Sequence, residues 1–156
     1  MDYRKLQNGS DIRGVALEGV AGQSINLTEQ ACRDIARGFA LWLMNKTGKK
    51  EGLRVSVGRD SRLSGETLCG WLCDAMAAQG LHVTNFGMAS TPAMFMSTVT
   101  EGYAFDGSVM ITASHLPFNR NGFKFFAPEG GLEKGDIKEI LAYAADSATT
   151  GLPAGD

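Results

Sequence analysis

Three cysteines and two histidines are all the thiol and imidazole chemistry this chain carries. An odd number of cysteines makes no closed disulfide framework. Cys69 and Cys73 lie four apart in a segment that reads as a helix, where they share a face, yet no histidine accompanies them as a structural zinc centre requires. With Cys32 they read as reduced core cysteines, small and apolar. Charge of one sign is missing too: fifteen Lys and Arg stand against seventeen Asp and Glu, a formal net charge of -2. No global positive field favours nucleic acid, so basic residues must be read one at a time. No window approaches the ~20 apolar residues that span a bilayer, and the polar residues 1–6 have no apolar stretch behind them. No membrane partner is expected, and a cytoplasmic protein is the simplest reading.

What is present fits one domain. The 156 residues are 44% hydrophobic, enough for a single sizeable core. Leu27, Ala31, Ile35, Phe39 and Trp42 recur at spacings of four and three, with Thr28 as N-cap and Gly48 near the far end, predicting an amphipathic helix of about five turns. Leu53, Val55 and Val57 alternate with Arg54 and Ser56 as a strand that Gly58 ends, followed by a loop at Arg59-Asp60-Ser61-Arg62. Ser64 caps a second helix carrying Leu68, Leu72 and Ala75, and residues 81–86 form a short strand. Thr91-Pro92 opens another helix, 108–111 is a compact buried strand, and 122–126 gives one more. Ile137, Ile140, Leu141, Ala144 and Ala145 form the stripe of a last helix. Residues 1–147 are read as the domain, and the small, polar, Gly- and Pro-containing segment 148–156 as the start of an interdomain linker.

Alternation of strands and helices predicts an α/β fold, a three-layer αβα arrangement around a mixed, mainly parallel sheet. Ligands of open α/β sheets gather beyond the carboxyl ends of the strands. Two polar loops are expected there, 59–62 and 113–121, and the run Asn8-Gly9-Ser10-Asp11-Ile12-Arg13-Gly14 reads as a third.

Chemistry concentrates in Thr112-Ala113-Ser114-His115-Leu116-Pro117 and in Asn121-Gly122-Phe123-Lys124. Ser114 and His115 invite a hydrolase reading, but adjacent residues of an extended chain point in opposite directions, and the Gly-x-Ser-x-Gly elbow is missing. A guanidinium offers a planar fork of donors for phosphate oxygens, so Arg13, Arg59 and Arg62 would make a site for a doubly charged group if they meet at one edge. Alternatively they are solvated, or paired with Asp11 and Asp60. Lys124 alternates with Phe123 and Phe125, so its amine could emerge from an apolar wall and transfer protons, or simply face water.

The four segments Ser-Asp-Ile-Arg-Gly (10–14), Val-Gly-Arg-Asp-Ser-Arg (57–62), Thr-Ala-Ser-His-x-Pro (112–117) and Asn-Gly-Phe-Lys (121–124), in this order, resemble the first domain of the α-D-phosphohexomutase family. The resemblance covers about residues 8–145. It implies a phosphoserine at Ser114 with Mg²⁺ on its phosphate, a hexose phosphate as substrate, and a hexose 1,6-bisphosphate intermediate through which phosphate moves between O1 and O6. It further implies that Arg13 neutralises phosphate charge, that Lys124 is the general acid or base, that His115 supports the site, and that Arg59 and Arg62 shape the electropositive loop around the phosphoserine.

Two departures qualify what the resemblance implies. Leu116 stands where the family's Ser-His-Asn-Pro has its amide. The family's enzyme has four domains, and its Asp-Gly-Asp-x-Asp metal loop, sugar-recognition loop and phosphate-binding loop have no counterpart in these 156 residues. The chain therefore reads as a piece of a larger enzyme, inactive by itself, whose partners are the other domains of the same polypeptide. The rival reading is a noncatalytic sugar-phosphate-binding module.

Overall fold

The structure, a computed structural model, describes residues 3–17, 25–49, 52–61, 64–100, 105–112 and 119–150, the side chains of 92 and 146–150 apart. Ser114, His115, Leu116 and Arg62 lie outside the described residues.

Period and capping chemistry place the helices as expected. Helix α1 (Glu29–Thr47) starts at Thr28, whose side chain accepts a hydrogen bond from the Ala31 N–H, and stops at Gly48, which adopts φ 72 and donates its own N–H to the Met44 carbonyl. The second helix, α2 (Gly65–Ala78), follows Ser64, and α3 (Thr91–Val99) is capped by Ser90 with Pro92 in its first turn. Helix α4 (Lys134–Thr150) continues into the segment read as the start of a linker. Ser64 stands at the N-cap position but does not cap: its hydroxyl accepts from Asn121 Nδ2 at 2.9 Å, tying α2 to the sheet.

Seven strands form one sheet among the described residues: β1 (Gln7–Asn8), β2 (Asp11–Val15), β3 (Arg54–Arg59), β4 (His82–Met88), β5 (Gly107–Ile111), β6 (Arg120–Ala127) and β7 (Gly130–Gly131). Their order is β1-β2-β6-β5-β3-β4, with β7 also on β6. The expected mixed α/β sheet is present. β4, β3 and β5 pair in parallel, whereas β6 pairs antiparallel with β5, β2 and β7. Because β2 reverses β6, it again runs in the direction of the parallel trio. The carboxyl ends of β2, β3, β4 and β5 consequently share one edge of the sheet, where β6 begins.

Two local expectations are corrected. Residues 8–14 are not a polar loop but a hairpin, turned at Gly9 (φ 61), and all of β2 except Arg13 is buried. Gly58 does not end its strand: β3 runs on to Arg59, and Gly58 is required there because a Cβ would stand 2.5 Å from Met94 Sδ of α3.

Alternation along β6 sorts the two faces of the sheet. Phe123 and Phe125 face the large core, which joins Ile12, Val57, Val109 and Ile111 to α1, α2 and α4. Lys124 lies on the other face, where Met110 and Phe126 pack with Met94 of α3. Under α3, the Ser56 hydroxyl donates to Ser108 Oγ at 2.8 Å and lies 2.7 Å from Ser97 Oγ, so these buried hydroxyls satisfy one another.

Candidate active site

Register assembles the charged cluster. Ile12 pairs with Phe123 and Arg13 with Gly122, so the next position brings Asp11 beside Lys124 on the α3 face. Lys124 Nζ donates to both carboxylate oxygens of Asp11, at 2.9 and 3.1 Å. Arg13 Nη2 donates to Asp11 Oδ2 at 3.0 Å. Gly122 permits the arrangement, since any Cβ would collide with the Ile12 carbonyl and stand 2.8 Å from Arg13 Cγ. The Asp11 side chain is 9% exposed and Lys124 31%, so the carboxylate is the floor of the cluster and the amine its accessible tip.

Asp11 was visible in the sequence only as a possible partner of an arginine. Here it is the centre, and one carboxylate between two cations leaves one positive charge in excess among these three groups. That suits an anion. Phe123 and Phe125 do not wall Lys124 as expected: they point to the opposite face, and the amine meets a carboxylate. Arg120, which opens β6 opposite Val15, shares the face of Gly122 and Lys124. Sequence reasoning passed over it, and its spacing of four residues from Lys124 on a strand was the available signal.

Arg59 behaves differently from Arg13. It pairs with Ile111, which belongs to the large core, so it leaves β3 on the face opposite Lys124, at the shared carboxyl edge. There its Cδ lies 3.4 Å from where a Cβ on Gly65 would stand, against the start of α2. The structure thus unites Arg13 and Lys124 through Asp11 and sets Arg59 apart from them.

The segment that carries Ser114 and His115 is bounded by two fixed residues. Thr112 donates its N–H to the Gly122 carbonyl at 3.0 Å and its hydroxyl to Asp60 Oδ2 at 2.7 Å. The Asn119 carbonyl accepts from the N–H groups of Ala16 and Leu17 at 2.7 and 3.0 Å. Thr112 and Asn119 are therefore held at the carboxyl edge, Thr112 against Asp60 after β3 and Asn119 against the residues that follow β2.

Mg²⁺ does not fit the described residues. No group of three or more His, Cys, Asp or Glu side chains among them could hold a metal ion. Asp11 is committed to two cations, and Asp60 accepts from Thr112.

The described residues form an α/β fold whose sheet carries a net-positive cluster of Arg13, Asp11 and Lys124 on one face. Comparison makes the kinship specific: residues 4–150 match the family model described as phosphoglucomutase/phosphomannomutase, alpha/beta/alpha domain I, and the chain belongs to that family. The phosphoglucosamine mutase of Corynebacterium jeikeium (strain K411) is 43% identical over 96 residues, 61% of this chain and 21% of that protein. That of Halalkalibacterium halodurans is 37% identical over 125 residues, 78% of this chain and 25% of its own length. A solved phosphoglucomutase/phosphomannomutase family protein from Burkholderia thailandensis superposes with a TM-score of 0.76 at 27% identity, covering 95% of this chain and 31% of that one. The chain thus spans about a fifth to a quarter of the length of these curated relatives. Among the described residues, no helix is long and apolar enough to cross a membrane.

Proposed function

We propose that this domain serves a phosphohexomutase of greater length by supplying its phosphoserine and its proton-handling lysine. Ser114 carries the phosphoryl group and passes it to a hydroxyl of a hexose phosphate; a hexose 1,6-bisphosphate forms, turns in the site and returns its other phosphoryl group to Ser114. Lys124 exchanges the proton of the sugar hydroxyl, and Asp11 holds the amine in place. Arg13 neutralises phosphate charge, Arg59, at the end of β3, and Arg62 shape the electropositive surroundings of the phosphoserine, and His115 supports the serine. Phosphoryl transfer depends mainly on position and charge neutralisation, which is what such a constellation supplies. The observation that carries the reading is the cluster of Lys124 on β6 with Asp11 and Arg13 on β2, the strand paired to it.

The carboxylates for Mg²⁺ are expected from another part of the polypeptide, and no step is assigned to the metal here. Glucosamine phosphate is the first sugar to try, given the names of the relatives, with glucose and mannose phosphates beside it. The test is peptide mapping of the full-length protein after exposure to a hexose 1,6-bisphosphate: the phosphoryl label is expected on Ser114, and a label elsewhere removes that residue from its role. Ser114→Ala in the same protein should abolish transfer. Unchanged activity would instead favour the noncatalytic module that Leu116 suggests.

A further inference from the structure

Cys69 and Cys73 stand one helical turn apart on α2, with their sulfurs 3.9 Å from each other. Cys69 is 2% exposed, while Cys73 is half-buried and opens the pair toward solvent. The surroundings make the inner thiol the more acidic of the two. The hydrogen bond with Cys73 lowers Cys69 most, burial opposes it, and the Arg59 charge and a hydrogen bond with Asn85 of β4 lower it further. Cys73 moves the other way, raised first by that same hydrogen bond and then by burial. Cys32 is fully buried in α1, and burial pushes its thiol up. One molecule therefore holds a paired, partly accessible dithiol and a sealed single thiol.

We propose that Cys69 and Cys73 form a redox-modifiable dithiol that takes a peroxide as its two-electron oxidant and closes to a disulfide within α2. The Cys69 thiolate attacks one peroxide oxygen; the O–O bond breaks, the departing hydroxide is protonated to water, and Cys69 becomes a sulfenic acid. The Cys73 sulfur then attacks the Cys69 sulfur. The S–S bond forms, the S–O bond breaks, and the hydroxyl leaves as water with the Cys73 proton, so two thiols and one peroxide give one disulfide and two waters. Closure draws the Cβ atoms to about 3.8 Å, nearer than the roughly 5–6 Å usual for residues four apart on a helix. The turn of α2 behind Arg59 must tighten, which links the modification to the arginine at the sheet edge.

The purified 156-residue chain is treated with hydrogen peroxide, quenched with catalase, alkylated and mapped by mass spectrometry. The expected product has alkylated Cys32 alone and a peptide bridged from Cys69 to Cys73, lighter by two hydrogens, and dithiothreitol should release the two bridged thiols. The bridge should form at least roughly tenfold faster than Cys32 is oxidised, following thiolate character and exposure. In Cys73→Ser, oxidation should stop at a sulfenic acid on Cys69 that dimedone traps. Oxidation that leaves Cys69 and Cys73 fully alkylatable, bridges Cys32, links two chains or proceeds to sulfinic acid without the bridge overturns the proposal.

Discussion

Lys124 and Gly122 sit two residues apart on one face of one strand, and their replacement should separate function from stability. Lys124→Met keeps the length of the side chain and leaves Asp11 its hydrogen bond from Arg13. In the full-length protein it should lower kcat/KM by about 10²- to 10⁴-fold, the usual contribution of a positioned acid or base, while thermal unfolding shifts by no more than a few degrees. A loss of activity accompanied by a large fall in Tm would assign Lys124 a structural role. Gly122→Ala acts through stability. Its methyl group would meet the Ile12 carbonyl and lie 3.0 Å from Arg13 Cα, so β2 and β6 must part. Urea unfolding should show a loss of about 1–3 kcal/mol, as for other overpacked sites.

Among the elements, α1 is the one whose ends are best defined by side-chain and backbone chemistry. Thr28→Ala deletes the acceptor of the Ala31 N–H, and Gly48→Ala forces a Cβ into the left-handed region. Each should cost about 1 kcal/mol by chemical denaturation, and the two should add, since they stand at opposite ends of a 19-residue helix. Helices with this period and these caps were legible in the sequence alone, as were the alternating and fully buried strands. β2 was not, because it is short, interleaves Asp11 and Arg13 with its apolar residues, and joins the sheet through β6 at the far end of the chain. The same cause hid Asp11 as the centre of the site: its partner Lys124 is 113 residues away, and only the register of β2 on β6 joins them. The sidedness of Arg59 continues the alternation of Val55 and Val57, a pattern cut short when Gly58 is read as the end of the strand.

Across the whole molecule, stability should decline on the alkaline side. Burial raises Cys32 above its ordinary value of 9.0, and burial together with the hydrogen bond to Asp34 raises Tyr3 above 10.0. Both groups keep their protons longer in the folded state than in the unfolded chain, so their contribution is complete below those ordinary values. It is lost as pH rises above about 9 for the thiol and about 10 for the phenol, because there the unfolded chain binds fewer protons. Denaturation measured against pH should show this decline, with Cys32→Ala flattening its first part and Tyr3→Phe its second. A decline of unchanged onset in Cys32→Ala would assign the first part to other groups. At the same scale, the purified chain should give no mutase turnover in a coupled assay. Measurable Mg²⁺-dependent turnover by these 156 residues would show that the chemistry is complete within them.

The antiparallel pairing of β2 with β6 also sets an order of events in time. β3, β4 and β5 with their helices close contacts within about sixty residues of chain, whereas β2 has only β1 beside it until residues 120–123 join it to the rest of the sheet. Such long-range closure is the slow kind. On a growing polypeptide, the parallel half of the sheet can form while Asp11 and Arg13 still lack Lys124. The positive cluster is then assembled at the end of folding, so an anion that binds it recognises only chains that have already closed their first residues onto their last strands.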